Sequence, residues 1–286
     1  MSRSGLAILL KPAGMTSFEV VSWVRRRVGE RRVGHAGTLD PAAAGVMVVA
    51  VGPAARWLSF LDDNKAYVGE VVFGRATTTA DATGETLAEE PSGVTEAGLR
   101  ALLPAFVGTI RQRPPAVSAV RIDGRRAHER VRAGEDVVVP EREVRIDALE
   151  LLAFDAERQA ARLAIACSAG TYIRSLAEDL GRALGVPAHL AFLVRTRSGP
   201  WGLQVAQPLD ETLELRLQAV DDGLRHWPRL DLDDVAARAF RLGQGVSLPE
   251  AIEPAPMVAV WHQGCFIGLG RPEGDRLRPE RTVSQA

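Results

Sequence analysis

The segment AGVMVVAV, residues 44–51, constrains this chain more than any other stretch. Its central VMVVAV is continuously apolar and does not alternate, so it reads as a buried strand, and a chain that carries one is committed to a sheet with a real core. The residues before it, RRVGHAGTLDPAA, place Asp40 between a glycine-rich turn and that strand. A carboxylate on the rim of a core must be solvated, paired or used. Asp40-Pro41 also reads as a turn, since Asp and Pro are strong turn formers. The rest of the chain decides between these readings.

The chain has 286 residues, 46% of them hydrophobic, enough for one large domain and a small one. No run of 18 apolar residues occurs, so no membrane span is expected. The N-terminus, MSRSGLAILLKPAG, lacks a cleavage site after a proper apolar region and reads as mature protein. Cys167 and Cys265 are far apart and have no CxxC partner, which argues against a disulfide framework or a zinc site and fits a reducing cytoplasm.

The net charge is −1, which gives no global attraction to nucleic acid. The distribution differs. Residues 25–32 carry five Arg against one Glu, and residues 111–132 carry seven Arg against two acids. Each cluster alone is compatible with a solvated helix face; together, flanking a candidate site, they suit a phosphate-rich substrate. Lysine occurs only at Lys11 and Lys65 among 35 basic residues, and tyrosine only at Tyr67 and Tyr172. In so Arg-rich a chain, a retained Lys marks a position that Arg cannot fill.

Along the chain, LLKPAG opens as a strand, and Thr16-x-x-Glu19 is a capping box for a helix whose apolar face is Val20, Val21, Val24 and Val28. Residues 66–74 alternate as a strand, followed by a turn-rich loop, RATTTADATGE. Residues 95–108 read as a helix that Pro104 ends or kinks. The stretch 116–140 suggests a strand, a DG turn, a short basic helix and another strand. Two long strands surround FDAERQ, an amphipathic helix carries Ile173, Leu176, Ala177, Leu180 and Leu184, and HLAFLVRTRSGPW follows as a strand. Near residue 228 the texture changes to a short helix, a turn and a pair of short strands, a β-rich module of about 60 residues.

Several chemistries lack their motifs. There is no GxxxxGK[ST], no GxGxxG after a strand, no HExxH, no GxSxG and no HxE…PCxxC, and His35, His128, His189, His226 and His262 have no ligand spacing. No cofactor and no metal are therefore expected, and any chemistry runs on Asp40 and ordinary side chains.

GHAGTLDPAAAG (34–45) resembles the catalytic motif of the tRNA pseudouridine synthase B family, enzymes that modify the T-loop uridine of tRNA. The other family blocks follow in order: LLKPAGMTSFEVV (9–21), KAYVGEVVFG (65–74), RPPAVSAVRIDGRRAHERVR (113–132), CSAGTYIRSLAEDLG (167–181) and FLVRTRSG (192–199). The tail resembles the small RNA-binding β-barrel called PUA. The resemblance implies an α+β pseudouridine synthase fold, a mixed and mostly antiparallel sheet with flanking helices, over residues 1–225, with an RNA-binding insertion at about 111–140. It implies a PUA-like barrel over 226–286.

The resemblance also implies roles. Asp40 is the essential carboxylate and Arg174 its cationic partner. Tyr67 stacks on the flipped base, and its phenol is placed for proton transfer. Leu193 packs on the base, His35 contacts the RNA loop, and Lys11 with Pro12 supports the active-site loop. Arg121, Arg125, Arg126, Arg130 and His128 belong to the insertion that closes over the T arm; relatives usually have Tyr at His128 and often Lys at Arg121. Converting uridine to pseudouridine cleaves N1–C1′, rotates the uracil and joins C5 to C1′, with no redox change and no net hydrolysis. The expected partner is the T stem-loop of tRNA, and the expected state is a cytoplasmic monomer without membrane contact. Two other readings stand beside this one. A non-catalytic RNA-binding or RNA-folding protein on the same scaffold would not need Asp40, Tyr67 and Arg174 together. An Asp-dependent hydrolase or base glycosylase would need a site for activated water.

Overall fold

The computed structural model describes residues 4–118, 120–122, 124–135, 137–249 and 252–283. They divide into two compact units, Met1–Leu58 with Asp63–Leu217, and Ser59–Asp62 with Gln218–Ala286.

In the first unit, β1 (Gly5–Lys11) turns into α1 (Ser17–Val28). The capping box forms as the sequence requires: the Thr16 hydroxyl accepts from the Glu19 amide at 3.1 Å, and the Glu19 carboxylate accepts from the Thr16 amide at 2.7 Å. Val20, Val21 and Val24 bury against Ala7 and Leu9 of β1 and Met47 and Val49 of β3 (Ala44–Val51), with β2 (Val33–His35) on the latter's edge. Then come β4 (Lys65–Phe73), the short pair β5 (Arg75–Thr77) and β6 (Thr86–Glu89), and α2 (Glu96–Leu102), which tightens into a 3-10 turn around Pro104. β7 (Gly108–Gln112) precedes a two-residue ribbon, β8 (Arg121–Ile122) with β9 (Arg125–Arg126), and α3 (Ala127–Arg132). The long pair β10 (Arg142–Asp155) and β11 (Ala160–Cys167) leads to α4 (Ile173–Ala183), β12 (Ala188–Ser198), β13 (Trp201–Gly202) and β14 (Gln207–Pro208).

The sheet runs β14-β1-β3-β12-β4-β11-β10-β7, with β2 on β3 and β13 on β12. The β1/β14 and β3/β12 pairings are parallel and the others antiparallel. β3 lies between β1 and β12, and its residues from Gly45 to Val51 are all buried, which is why its sequence does not alternate. Parallel register brings Gly45 onto Arg195 so closely that a Cβ at Gly45, which has φ +117°, would collide with the Arg195 backbone. α4 buries Ile173, Leu176, Ala177 and Leu180 in the main core, against Tyr67, Val71, Leu163 and Ile165.

One expected strand is absent among the described residues. Residues 137–139 alternate in burial, yet they pair with no strand. Val137 and Val139 pack on Ala127 and Val120, so the alternation is satisfied by a small satellite core and not by a ladder.

In the second unit, β15 (Arg229–Asp231), α5 (Asp234–Arg241), β16 (Val246–Ser247), β17 (Val258–His262), β18 (Cys265–Glu273) and β19 (Arg276–Thr282) form one sheet in the order β15-β17-β18-β19-β16, curled as a PUA-like half-barrel around Phe240 of α5. The residues alone suggested a pair of short strands here, and the resemblance a barrel; β15 and β16 have three and two residues, too few to show a period, and β19 buries only Leu277 fully.

Candidate active site

The Asp40 loop is fixed by its backbone. Five successive carbonyls have donors. Gly37 O and Thr38 O accept from Arg195 Nη2 and Nη1 at 3.2 and 3.4 Å. Leu39 O accepts from Ser17 Oγ at 3.0 Å, and the Leu39 amide donates back to that oxygen at 2.9 Å. Asp40 O accepts from the Ala43 amide at 3.0 Å, so Asp40-Pro41 is a turn as its residues ask. Pro41 O accepts from the Gly14 amide at 2.8 Å and from Lys11 Nζ at 3.2 Å. Asp40-Pro41 is thus a turn, and the turn aims the carboxylate.

Lys11 and Arg195 are buried cations serving that loop. Lys11 also donates to Pro12 O at 2.9 Å and Met15 O at 2.5 Å, three acceptors for three N–H groups. Burial pushes its pKa down to about 8, with Asp40 pulling upward and Arg195 downward. Arg195 Nε adds a bond to Val46 O at 2.6 Å, and burial lowers its pKa while Tyr67 opposes this. Lys65, the other lysine, is buried too.

Arg174 grips both oxygens of the Asp40 carboxylate along one edge of its guanidinium: Nε to Oδ2 at 2.9 Å and Nη2 to Oδ1 at 3.2 Å. Its remaining donors meet Thr79 O at 2.9 Å and Val117 O at 3.0 Å. The guanidinium side chain is 6% exposed and the Asp40 side chain 39%, so the cation is sealed and the carboxylate faces outward. Asp81 stands 3.9 Å from Arg174 Nε. Burial pushes the Asp81 pKa up, but hydrogen bonds from Thr83 and Thr79, with Arg174, bring it below the usual value. Its Oδ1 accepts from Thr79 Oγ1 at 2.7 Å and from the Thr83 amide at 2.9 Å. One guanidinium thus serves two carboxylates, of which Asp81 is held by threonines and Asp40 is presented.

Asp40, Arg174, Asp81, Leu190 and Leu193 line one cavity of about 20 Å³, room for about one water. Tyr67 lies opposite Arg195 in the β4/β12 register and is almost fully buried in the main core. Burial raises its pKa, Arg195 draws it back, and Cys167 and Asp40 push it up, so the phenol stays protonated near neutral pH. His35 is half-buried at the end of β2; burial and the nearby Arg195 lower its pKa, which keeps the imidazole neutral, and its Nδ1 has no hydrogen-bond partner among the described residues.

Of the expected RNA-contact residues of the insertion, the side chains of two are described. Arg125 and Arg130 both pair with Glu135, at 2.8 and 2.6 Å. The side chains of Arg121, Arg126 and His128 lie outside the described residues. Acids just beyond the 111–132 window, Glu135 and Glu141, pair with four of its arginines, so its positive field is weaker than the sequence count suggests. In the 25–32 cluster, Arg25 and Arg27 are spent on Val33 O and Leu213 O, at 3.2 and 2.8 Å. Sequence reasoning did not single out Asp81, Thr79, Ser17 or Arg195. The signal for Asp81 was present in the Thr-rich TTTADATG around it.

The family model described as TruB family pseudouridylate synthase, N-terminal domain, matches residues 25–173, and the one described as pseudouridine synthase II TruB, C-terminal, matches 228–283. With the mixed sheet and the PUA-like module, these two matches define a pseudouridine synthase. The chain belongs to the TruB family of these enzymes. It is 43% identical over 293 residues to tRNA pseudouridine synthase B of Stutzerimonas stutzeri, covering 98% of this chain and 95% of that one. It is 44% identical over 284 residues to the protein of the same name in Corynebacterium aurimucosum, covering 97% and 95%. Among solved structures, a Cbf5-Nop10-Gar1 complex matches with TM-score 0.75 and 26% identity over 97% of this chain and 84% of that one.

Proposed function

We propose that this chain isomerises the uridine at position 55 in the T stem-loop of tRNA to pseudouridine, with Asp40 as the essential carboxylate. The observation that carries the reading is the outward-facing Asp40 carboxylate, clamped by Arg174 at 2.9 and 3.2 Å on a loop with every carbonyl from 37 to 41 engaged. A preorganised anion beside an apolar wall can stabilise the separated sugar and base, or bond to one of them, while the uracil turns. C5 takes over the bond to C1′ that N1 gives up, C5 releases a proton and N1 takes one up, so no electrons leave the substrate and no cofactor is required. A cavity of about 20 Å³ does not admit uracil, so its walls part when a base is flipped in. Leu193 then packs on the ring, Tyr67 supports it, His35 holds the RNA loop, and Lys11 holds the Asp40 turn. We assign catalysis to residues 1–225, closure over the T arm to the insertion at about 111–140, and further RNA contact to 226–286. Two thiols, one buried and one exposed and neither in a disulfide, suit the reducing cytoplasm, where we place the protein as a monomer.

The test is carbodiimide-dependent reverse-transcription stops on a T-arm transcript incubated with the protein. A stop at the target uridine is expected. Release of free uracil would make the chain a glycosylase, and binding without either product would make it a non-catalytic RNA-binding protein.

Two further outcomes are expected. Tyr67→Phe should retain binding but lower the rate if the phenol moves a proton, whereas near-normal turnover would leave Tyr67 only a packing role. Neutralising Arg125, Arg126 and Arg130 together should flatten the salt dependence of tRNA affinity by up to about 0.9 log units per log salt for each phosphate that these arginines no longer neutralise. The rate at saturating RNA should change far less. An unchanged slope would move the phosphates to exposed Arg26, Arg31 and Arg32.

A further inference from the structure

A second cavity lies within the other unit. It measures about 370 Å³ and is lined by Asp221, Leu224, Arg225, Trp227, Arg229, Ala259 and Trp261. That volume falls in the range of about 300–1,000 Å³ typical of small-molecule sites. The local fold explains why it is open. β15 and β17 pair in parallel, Arg229 with Ala259, Leu230 with Val260 and Asp231 with Trp261. Leu230 and Val260 bury in the core of the unit, so the alternate residues face the other way. On that face Ala259 offers only a methyl between larger neighbours, and the floor is hollow.

The walls are held. Trp227 donates Nε1–H to Phe60 O at 2.9 Å, and its amide donates to Leu224 O at 3.1 Å. Trp261 meets Phe266 edge-on with ring centroids 5.7 Å apart, and the Arg229 guanidinium lies over its ring at 4.4 Å. Arg229 covers one face of Trp261 and the His226 ring lies 4.3 Å from that of Trp227, so the uncovered faces of the guanidinium and the indoles are the stacking surfaces for a flat heteroaromatic ring. The charges exclude a phosphate trap. Arg225 is paired with Asp222 at 2.6 Å, Arg229 with Asp231 at 2.7 and 2.6 Å, and Asp221 adds a further carboxylate. A site with stacking planes and a carboxylate but no surplus of cations selects a ring that donates hydrogen bonds. Among bases that means an exocyclic amine, as when Asp or Glu accepts from cytosine N4.

We propose that this cavity captures one unpaired cytosine of the RNA, stacked among Trp227, Trp261 and Arg229, with its exocyclic amine read by Asp221. The proposal rests on the reading of the chain as an RNA-modifying enzyme and adds a base-reading site remote in sequence from Asp40.

The experiment measures binding of the full chain to fluorescein-labelled pentaribonucleotides of cytidine and of uridine by anisotropy. The cytidine oligomer should bind about tenfold tighter. Trp261→Leu should weaken it by about tenfold. Asp221→Ala, which removes the acceptor, should abolish the preference for cytidine while leaving some affinity for both. Arg229→Gln, at an exposed position, repeats the stacking test if Trp261→Leu lowers the melting temperature. Equal affinity of the unaltered protein for both oligomers, or variants that bind as it does, would overturn the proposal. Reverse-transcription stops on the T-arm transcript are recorded with the same preparation. Their absence indicts the catalytic reading, whereas stops without a cytidine preference reject the cavity alone.

Discussion

Asp40→Asn should lower pseudouridine formation by at least about a thousandfold, the scale expected when a group central to the chemistry is removed. The amide has the shape of the carboxylate and none of its charge. The loop should stay in place, because the donors that hold it come from Arg195, Ser17, Ala43, Gly14 and Lys11 and engage the backbone, not the Asp40 side chain. Binding of tRNA should therefore stay within about threefold, since phosphate contacts set affinity and a carboxylate makes none. Single-turnover formation of pseudouridine on a T-arm transcript, beside filter binding of the same RNA, separates the two. Turnover within tenfold of the unaltered protein would remove Asp40 from the chemistry.

What the sequence shows of this site follows the range over which each residue acts. Asp40 is legible because its constraints are local: a glycine-rich approach, a Pro after it, and a buried strand just beyond. The β3 strand is legible for the same reason, and so is the α1 cap. Arg195 is not. It holds carbonyls 157 and 158 residues away in sequence, and one buried guanidinium among so many arginines looks like the solvated ones. Asp81 sits in a segment that reads as a turn-rich loop, and only the fold carries it to Arg174. The lysine argument, weak as composition, finds a physical footing. Lys11 and Lys65 are both buried, and at Lys11 a compact ammonium places its three N–H groups on three carbonyls. Charge was misjudged by windowing: seven arginines against two acids became a smaller excess once Glu135 and Glu141 folded onto them. The unpaired stretch 137–139 shows the same limit, since a satellite core can satisfy alternation as well as a ladder can.

Arg174→Lys should cost about a hundredfold or more in rate with tRNA affinity little changed, because the variant keeps the charge and loses the fork. The guanidinium spans both Asp40 oxygens, Thr79 O and Val117 O at once. A single Nζ reaches at most part of that set, so the carboxylate can rotate away from the base. Arg174→Met should be worse and should also destabilise the fold by about 2–4 kcal/mol, since it strands two carbonyls and a half-buried carboxylate. A drop in stability alone would not prove a role in the reaction, so the decisive measurement is a cycle. If Arg174 acts by presenting Asp40, the Asp40→Asn/Arg174→Lys double variant should be scarcely slower than Asp40→Asn alone, because the second change removes the support of a group already gone. Rate losses that multiply would mean that Arg174 contacts the substrate itself. A lysine variant as fast as the unaltered protein would mean that positive charge near Asp40 suffices and that the two-point grip at 2.9 and 3.2 Å is incidental.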